Sequence, residues 1–308
     1  MTGEHMKQRI SNLQKIYKEG TRLLAGAGIE EAGIDAWYLL EYVTGITRAA
    51  YYAHPETELD ADKEDAYFAH IGRRARREPL QHITGEQEFM GYSFRVSGHV
   101  LIPRQDTEIL VEEALKVLAP GMRILDMCTG SGCVLISILK AGRERLRMER
   151  LEGTGSDISP EAVAVAEYNA ARLLGRTETG RGNNGCCARF CTGDLFEKAE
   201  ERYDLIVSNP PYIRTEEIRK LQREVRLHDP YIALDGKKDG LYFYRRITAE
   251  SAAYIAEGGY LMFEIGHDQA EDVCTLLEQS GYADVFVKKD LAGLDRVAGG
   301  RYNRKCTQ

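Results

Sequence analysis

The chain has 308 residues, a formal net charge of −7, and is 43% hydrophobic and 29% charged, an ordinary balance for a globular protein of about two domains. No run approaches the roughly 20 apolar residues that cross a bilayer, and residues 1–10 are polar and lack the apolar core of a secretion signal, so a cytoplasmic protein with no membrane partner is expected. An acidic chain grips long stretches of nucleic-acid phosphate poorly, and seven cysteines without a secretion signal are expected to be free thiols.

Residues 7–78 read as helical. Ile10, Leu13, Tyr17 and Leu24 recur at threes, fours and sevens, the spacing of one buried helix face, and Gly26 and Gly28 break that helix. A second run carries Ile34, Trp37, Tyr38 and Tyr42, and a third carries Ala66, Phe68 and Ile71 before Arg73, Arg74, Arg76 and Arg77. The lone Trp37 reads as a core filler. The arginines read either as a small basic patch or as a solvated helix face. The expected division is an N-terminal helical domain over 1–78, a β-hairpin linker over 79–104, and an α/β domain over 105–308.

Pro79 ends the helical stretch, and short bursts of strand-forming residues follow: 87–89, 92–96 and 100–102, with glycine turns at Gly91 and Gly98. Asp106 or Thr107 is placed to cap the next helix. From there strand and helix alternate. Strands are expected at 123–127, 151–157, around Phe190, 203–208 and 259–265, with a closing antiparallel pair at 285–288 and 296–298. Helices are expected from Gly132, after Ser159-Pro160 as cap and first turn, at 241–256 and at 270–279. Alternation of this kind means a mostly parallel sheet covered on both faces. Residues 175–188 read as an inserted flexible loop. Its Cys186 and Cys187, with Cys191 nearby, have no histidine beside them and no Cys-x-x-Cys pairing, so no metal site is expected.

The apolar run Tyr203, Leu205, Ile206, Val207 stops at Asn209-Pro210-Pro211-Tyr212. Two prolines lack the N–H groups a ladder needs, so the Asn side chain and two carbonyls are left at the sheet's carboxyl edge, where open α/β sheets bind ligands. An Asn amide oxygen beside a proline carbonyl is a pair of acceptors suited to a planar –NH2 group, and Tyr212 could cover its face. Plain strand-to-loop punctuation would use the same residues. Upstream, the turn Asp126-Met127-Cys128-Thr129-Gly130-Ser131-Gly132-Cys133 lets backbone approach a ligand closely but lacks the third glycine of the dinucleotide fingerprint. Asp126, Asp157 and Asp194 stand at three successive strand ends. Carboxylates there suit a ribose diol, a cationic centre and an adenine amino group, which favours S-adenosylmethionine over a nicotinamide dinucleotide.

The combination of Asp126 to Gly132, Asp157 and Asn209 to Tyr212 resembles the Rossmann-like methyltransferases that modify planar amino or amide nitrogens. Further strings resemble one family of that class, the PrmC/HemK protein-glutamine methyltransferases: Glu78 to Gly85, Glu88-Phe89, Leu101 to Glu108, Asp229 to Leu234, Asp239-Gly240-Leu241, Glu264-Ile265-Gly266 with Gln269, and Asp290 to Arg296. The similarity covers nearly the whole chain. The family usually has Gly at Cys128, Pro at Gln105 and Glu at Asp229; Cys128 is small enough for the turn unless its backbone needs a positive φ.

The resemblance implies a class I methyltransferase domain with a seven-stranded, mostly parallel sheet and an N-terminal substrate-recognition domain. It implies methyl transfer from S-adenosylmethionine, leaving S-adenosylhomocysteine, to the glutamine amide of the Gly-Gly-Gln motif in peptide chain release factors. Asp126, Cys128, Thr129, Gly130, Ser131, Gly132, Asp157, Asp194, Leu195 and Asn209 would hold the donor. Asn209 and Pro210 would accept the two amide hydrogens, with Tyr212 stacked on or walling the amide plane. Pro211, Leu101 and Arg104 would line the substrate entrance, unless Arg104 serves as an interdomain salt bridge. A monomer without stable nucleic-acid binding is expected. Two other readings of the residues remain: a nucleic-acid methyltransferase acting on an exocyclic base amine, and a non-catalytic donor-binding adaptor.

Overall fold

The computed structural model describes residues 12–175, 187–200 and 202–303. Ile10, Cys186 and most of the inserted stretch 175–188 lie outside the described residues. Two compact units are present: residues 1–85 with 223–228, and residues 86–222 with 229–308.

The first unit is helical, with α1 (Leu13–Gly26), α2 (Ala32–Thr44), α3 (Arg48–Ala53), α4 (Ala61–Ala75) and α5 (Leu80–Thr84). Its core gathers Leu13, Ile16, Leu24, Leu39, Leu40, Tyr67 and Ile71. Trp37 is buried between Tyr17 and Tyr51, both in edge-on ring contact with it, as a core filler should be. The rest of its run is split by helical geometry: Ile34, Tyr38 and Tyr42, four residues apart on α2, are 45%, 49% and 53% exposed. The burst of strand-like texture after Pro79 begins instead with α5, which Gly85 at φ 77° closes.

Three of the four arginines, Arg73, Arg74 and Arg77, are structural. Arg73 pairs with Glu78 through two hydrogen bonds of 2.9 and 2.5 Å, and Arg74 reaches Asp35 at 2.6 Å and Glu224 at 3.2 Å. Arg77 reaches the same Glu224 at 3.1 Å and the carbonyls of Ala27 and Gly28. Glu224 lies in the helical turn Arg223–His228, which belongs to this unit.

The second unit opens with the hairpin β1 (Glu86–Phe89) and β2 (Tyr92–Arg95). Met90 and Gly91 both have positive φ, the tight turn that matches strand twist. No strand forms over 100–102. The helix α6 (Glu108–Val117) then leads into β3 (Arg123–Met127), α7 (Cys133–Glu144), β4 (Glu152–Asp157), α8 (Pro160–Leu173), β5 (Cys187–Thr192) and β6 (Tyr203–Ser208). Ser159 caps α8 by accepting from the Ala162 N–H at 3.1 Å. Thr107, in contrast, makes no cap bond to α6; its hydroxyl is used elsewhere. After β6 come short turns, the helix Tyr242–Ser251, β7 (Ile255–Glu264), the helix Ala270–Gln279, and β8 (Tyr282–Lys289) with β9 (Asp295–Tyr302).

The seven-stranded sheet has the order β5-β4-β3-β6-β7-β9-β8. Pairings from β5 to β7 are all parallel, and β9 runs against both neighbours. Along β6 the apolar run serves both faces: Leu205 and Val207 enter one core, Tyr203 and Ile206 the other. A continuous apolar strand is what burial on two sides requires. Chain order reverses between β3 and β6, so the carboxyl ends of those strands open a crevice. Among the described residues no helix is long and apolar enough to cross a membrane.

Gly20 on α1 tests the packing of the helical unit. A Cβ there would lie 2.0 Å from the hydroxyl of Tyr67, which is fully buried. Ala improves helix propensity by about 1 kcal/mol, but overpacking of this kind costs about 1–3 kcal/mol. An approach of 2.0 Å belongs to the upper part of that range, about 2–3 kcal/mol, so Gly20→Ala is expected to lower stability by about 1–2 kcal/mol net in urea unfolding of the full chain; an unchanged or raised midpoint would show that Tyr67 has room to move.

Candidate active site

Strand ends assemble the site. Register sets Met127 opposite Ser208 and Ser208 opposite Phe263, so the turn after β3, the motif after β6 and the end of β7 stand side by side. Ser208 ties two of them by donating its hydroxyl to the Met127 carbonyl at 2.8 Å. An open cleft runs over these ends.

The turn after β3 holds itself in shape. Thr129 donates its hydroxyl to Asp126 Oδ2 at 2.6 Å, and the Leu135 N–H reaches the same oxygen at 3.3 Å. Asp126 is buried, which pushes its carboxyl up to about 7 despite those two donors, with Asp157 adding repulsion. Asp157 Oδ2 accepts from the Gly130 N–H at 2.9 Å and Oδ1 from the Ser159 N–H at 3.0 Å. Burial raises its pKa as well. Cys128 has φ 57°. Its backbone therefore occupies the left-handed region that favours glycine, and the residue carries strain of about 1–2 kcal/mol. The smallness of its side chain does not spare the turn that strain. Burial also raises the thiols of Cys128 and Cys133, so neither is a thiolate nucleophile.

Most of the expected donor-site residues line the cleft: Asp126, Cys128, Thr129, Gly130, Ser131, Asp157, Asp194, Leu195 and Asn209. Gly132 does not. It precedes α7 at φ 77°, and a Cβ there would press on Ile136 and Ala166, so its role is packing of helix against helix. Asp194 reaches the cleft, but its carboxylate already accepts from Arg246 Nη1 at 3.0 and 2.9 Å and sits in a reciprocal cap with Glu197. The buried Ser131 hydroxyl lines the cleft and has no oxygen or nitrogen partner.

The same cleft is lined by Leu101, Arg104, Asn209 and Pro211. Arg104 Nη2 donates to Asp229 Oδ2 at 2.9 Å, a pair within one unit, not a bridge between the two. Burial lifts the Asp229 carboxyl to about 6 against the pull of that guanidinium. Pro210 and Tyr212 are not among the lining residues. The Tyr212 hydroxyl donates to Glu264 Oε1 at 3.1 Å, and its ring packs on the second core.

In the sequence Glu264 is one letter of a family string; the structure puts it at the centre. It ends β7, is 3% exposed, and accepts from Asn209 Nδ2 on Oε2 at 3.0 Å. The Thr107 hydroxyl also bonds it, and Arg296 contributes positive charge nearby; burial still leaves its pKa raised. Arg296 is held between Asp106 and Asp290 at 3.2 and 3.0 Å. Gln269 locks the loop after the motif: its Nε2 donates to the Tyr212 carbonyl at 3.1 Å and its Oε1 accepts from the Gly266 N–H at 2.9 Å. Tyr244 donates to the Glu264 carbonyl at 2.9 Å. Beside that string, the sequence offered an acid closing the apolar stretch Leu261-Met262-Phe263; its partner lay 55 residues away. Among the described residues no cluster of three His, Cys, Asp or Glu side chains could hold a metal ion.

Residues 15–85 match the family model described as the PrmC N-terminal domain, and residues 105–226 match the methyltransferase small domain. A release factor glutamine methyltransferase of Geobacter sulfurreducens is 39% identical over 296 residues, spanning 96% of this chain and 98% of the relative. One of Clostridium acetobutylicum is 40% identical over 268 residues, spanning 85% and 89%. A third, of Caulobacter vibrioides, is 39% identical over 294 residues, spanning 94% and 96%.

The two glycines of the turn separate strain from packing. Gly130 has φ 53° and open space within 4 Å of where a Cβ would stand, whereas a Cβ on Gly132 would meet Ile136 at 2.9 Å and Ala166 at 3.1 Å. Gly130→Ala is expected to cost about 1–2 kcal/mol from the backbone alone, and Gly132→Ala about 1–3 kcal/mol more from overpacking. Equal losses in thermal unfolding would contradict the packing role of Gly132.

Proposed function

The chain belongs to the release factor glutamine methyltransferase family, and on that premise we propose that it transfers a methyl group from S-adenosylmethionine to the side-chain amide nitrogen of the glutamine in a release factor's Gly-Gly-Gln motif. The observation that supports this reading is that one cleft is lined both by Gly130, Ser131 and Asp157 of the strand-to-helix turns and by Asn209 of the motif after β6.

The lining fits the donor. Open space faces Gly130 where any side chain would project, the Ser131 hydroxyl awaits a partner, and the Asp157 carboxylate, braced by two backbone N–H groups, retains lone pairs for a diol. Asp126 and Asp157 give that end negative character suited to a cationic ligand. When bound, S-adenosylmethionine supplies a methyl group made electrophilic by its sulfonium.

The acceptor chemistry rests on the chain. A glutamine amide nitrogen is a poor nucleophile because its lone pair is delocalised into the carbonyl. Asn209 Nδ2 is committed to Glu264 and Thr107, which leaves Oδ1 as its acceptor. The Pro210 carbonyl, between two residues of restricted backbone, accepts no hydrogen bond from the described residues. Two fixed acceptors on the two amide hydrogens orient the nitrogen and favour positive charge building on it in the transition state; the nitrogen gives up one of those protons overall. Action as a monomer is part of the reading. Arg73, Arg74 and Arg77 are spent on ion pairs, which favours a protein acceptor over nucleic acid, and stable nucleic-acid binding is not part of the reading. The exposed stripe Ile34, Tyr38, Tyr42 supports substrate recognition by the helical unit, and the reaction is assigned to the cytoplasm, where translation is terminated.

Asn209→Ala is expected to reduce transfer to a purified release factor by about 10²–10³-fold while donor affinity measured by calorimetry stays near wild type; full turnover in that variant would refute the acceptor role. Donor affinity should also follow Asp126. Its carboxyl, raised to about 7, is ionised above that pH and neutral below it, so a cationic donor binds more weakly as pH falls. Affinity is expected to drop about tenfold from pH 8 to pH 6, and Asp126→Asn should flatten the profile. A flat wild-type profile would remove Asp126 from the donor's surroundings.

A further inference from the structure

Asn209 can serve as an acceptor only if its amide points the right way round. A side-chain amide is nearly symmetric in shape, and a flip would present NH2 to the cleft, where it would repel the hydrogens of an incoming –NH2 group. We propose that Glu264 is the positioning residue that fixes this direction, so that Asn209 always shows Oδ1 to the substrate; the inference rests on the function proposed above.

The geometry makes the choice one-sided. Glu264 Oε2 takes the Asn209 amino group at 3.0 Å while Oε1 takes the Tyr212 hydroxyl at 3.1 Å. A carboxylate accepts at both oxygens and donates at neither. The Asn209 oxygen therefore has no favourable way to face it. Tyr244 anchors the backbone of Glu264, and Thr107 meets both Glu264 and Asn209. Burying a carboxylate is costly, and a neutral glutamine of the same shape would be cheaper. It would offer one acceptor and one donor, and in the orientation that keeps the Tyr212 hydroxyl donating to its oxygen, its NH2 faces Asn209. The asparagine would then turn its own oxygen inward and its NH2 toward the cleft. The acid at this position accordingly has a use that shape alone does not supply.

This separates positioning from support. Glu264→Gln is expected to keep the melting temperature, the donor affinity and the KM for the release factor at wild-type values while lowering kcat about a hundredfold. Asn209→Asp alone sets two carboxylates against each other and is expected to be inactive. In the double variant Glu264→Gln with Asn209→Asp, the introduced amide can donate to one aspartate oxygen and leave the other for substrate, so kcat should rise about tenfold over Glu264→Gln alone, a coupling of ordinary size for touching residues. Full kcat in Glu264→Gln, a collapse of melting temperature and affinity together with kcat, or a double variant no better than Glu264→Gln would each overturn the inference. A wild-type protein that methylates no release factor would instead overturn the function on which it rests.

Discussion

The register of β6 between β3 and β7 is the constraint on which the site depends. Parallel pairing sets Met127, Ser208 and Phe263 in one row, so the residues that follow leave the sheet together. A slip by one residue would exchange the faces of β6, moving Leu205 and Val207 out of one core and Ile206 out of the other. The pattern that buries the strand on both sides therefore also aims the Asn209 motif. The two prolines stop the ladder at that point, and Ser208 pins it to β3 by a hydrogen bond to the Met127 carbonyl.

Around that row the protein accepts unfavourable terms that ordinary packing would avoid. Asp126 and Glu264 are buried acids with raised pKa values, and Cys128 sits in a left-handed conformation. The left-handed backbone of Cys128 alone costs about 1–2 kcal/mol, a noticeable fraction of the roughly 5–15 kcal/mol by which domains are stable, and desolvation of the two acids adds to it. They cluster on the turn after β3 and at the end of β7, whereas the helical unit spends its buried charge on Arg74 with Asp35 and Glu224, where donor meets acceptor directly. Concentrated strain and desolvation of this kind belong to sites that are organised before a ligand arrives.

Local chemistry was legible in the sequence; partnerships across the fold were not. Pro-Pro at a strand end, Ser159 before Pro160, and glycines in a strand-to-helix turn each act within a few residues, and the structure has them where the sequence put them. The mostly parallel sheet followed from alternation, its seven-stranded form was implied by the family resemblance, and the family strings covered the rest of the chain. Glu264 escaped because its importance comes from lying beside β6, which strand order decides. Thr107 looked like a helix cap because its alternative partner, Asn209, is 102 residues away. The bond from the Tyr212 hydroxyl to Glu264, 52 residues away, was likewise invisible in the sequence. The periodic pattern named Ile34, Tyr38 and Tyr42 beside Trp37 without saying which would be buried, since aromatic residues fit either side of an amphipathic helix. Residues 80–84 carry Thr and Ile, and a preceding proline with a following glycine made them a helical turn.

The central claim is that the acceptor pair at Asn209 and Pro210 receives a glutamine side-chain amide. Its most direct test is peptide mapping by mass spectrometry of a release factor incubated with the purified protein and S-adenosylmethionine carrying a labelled methyl group. The account predicts label on the side-chain nitrogen of a single glutamine, the one in the Gly-Gly-Gln motif. Label on another residue, or on added DNA or RNA in place of the protein, would contradict it.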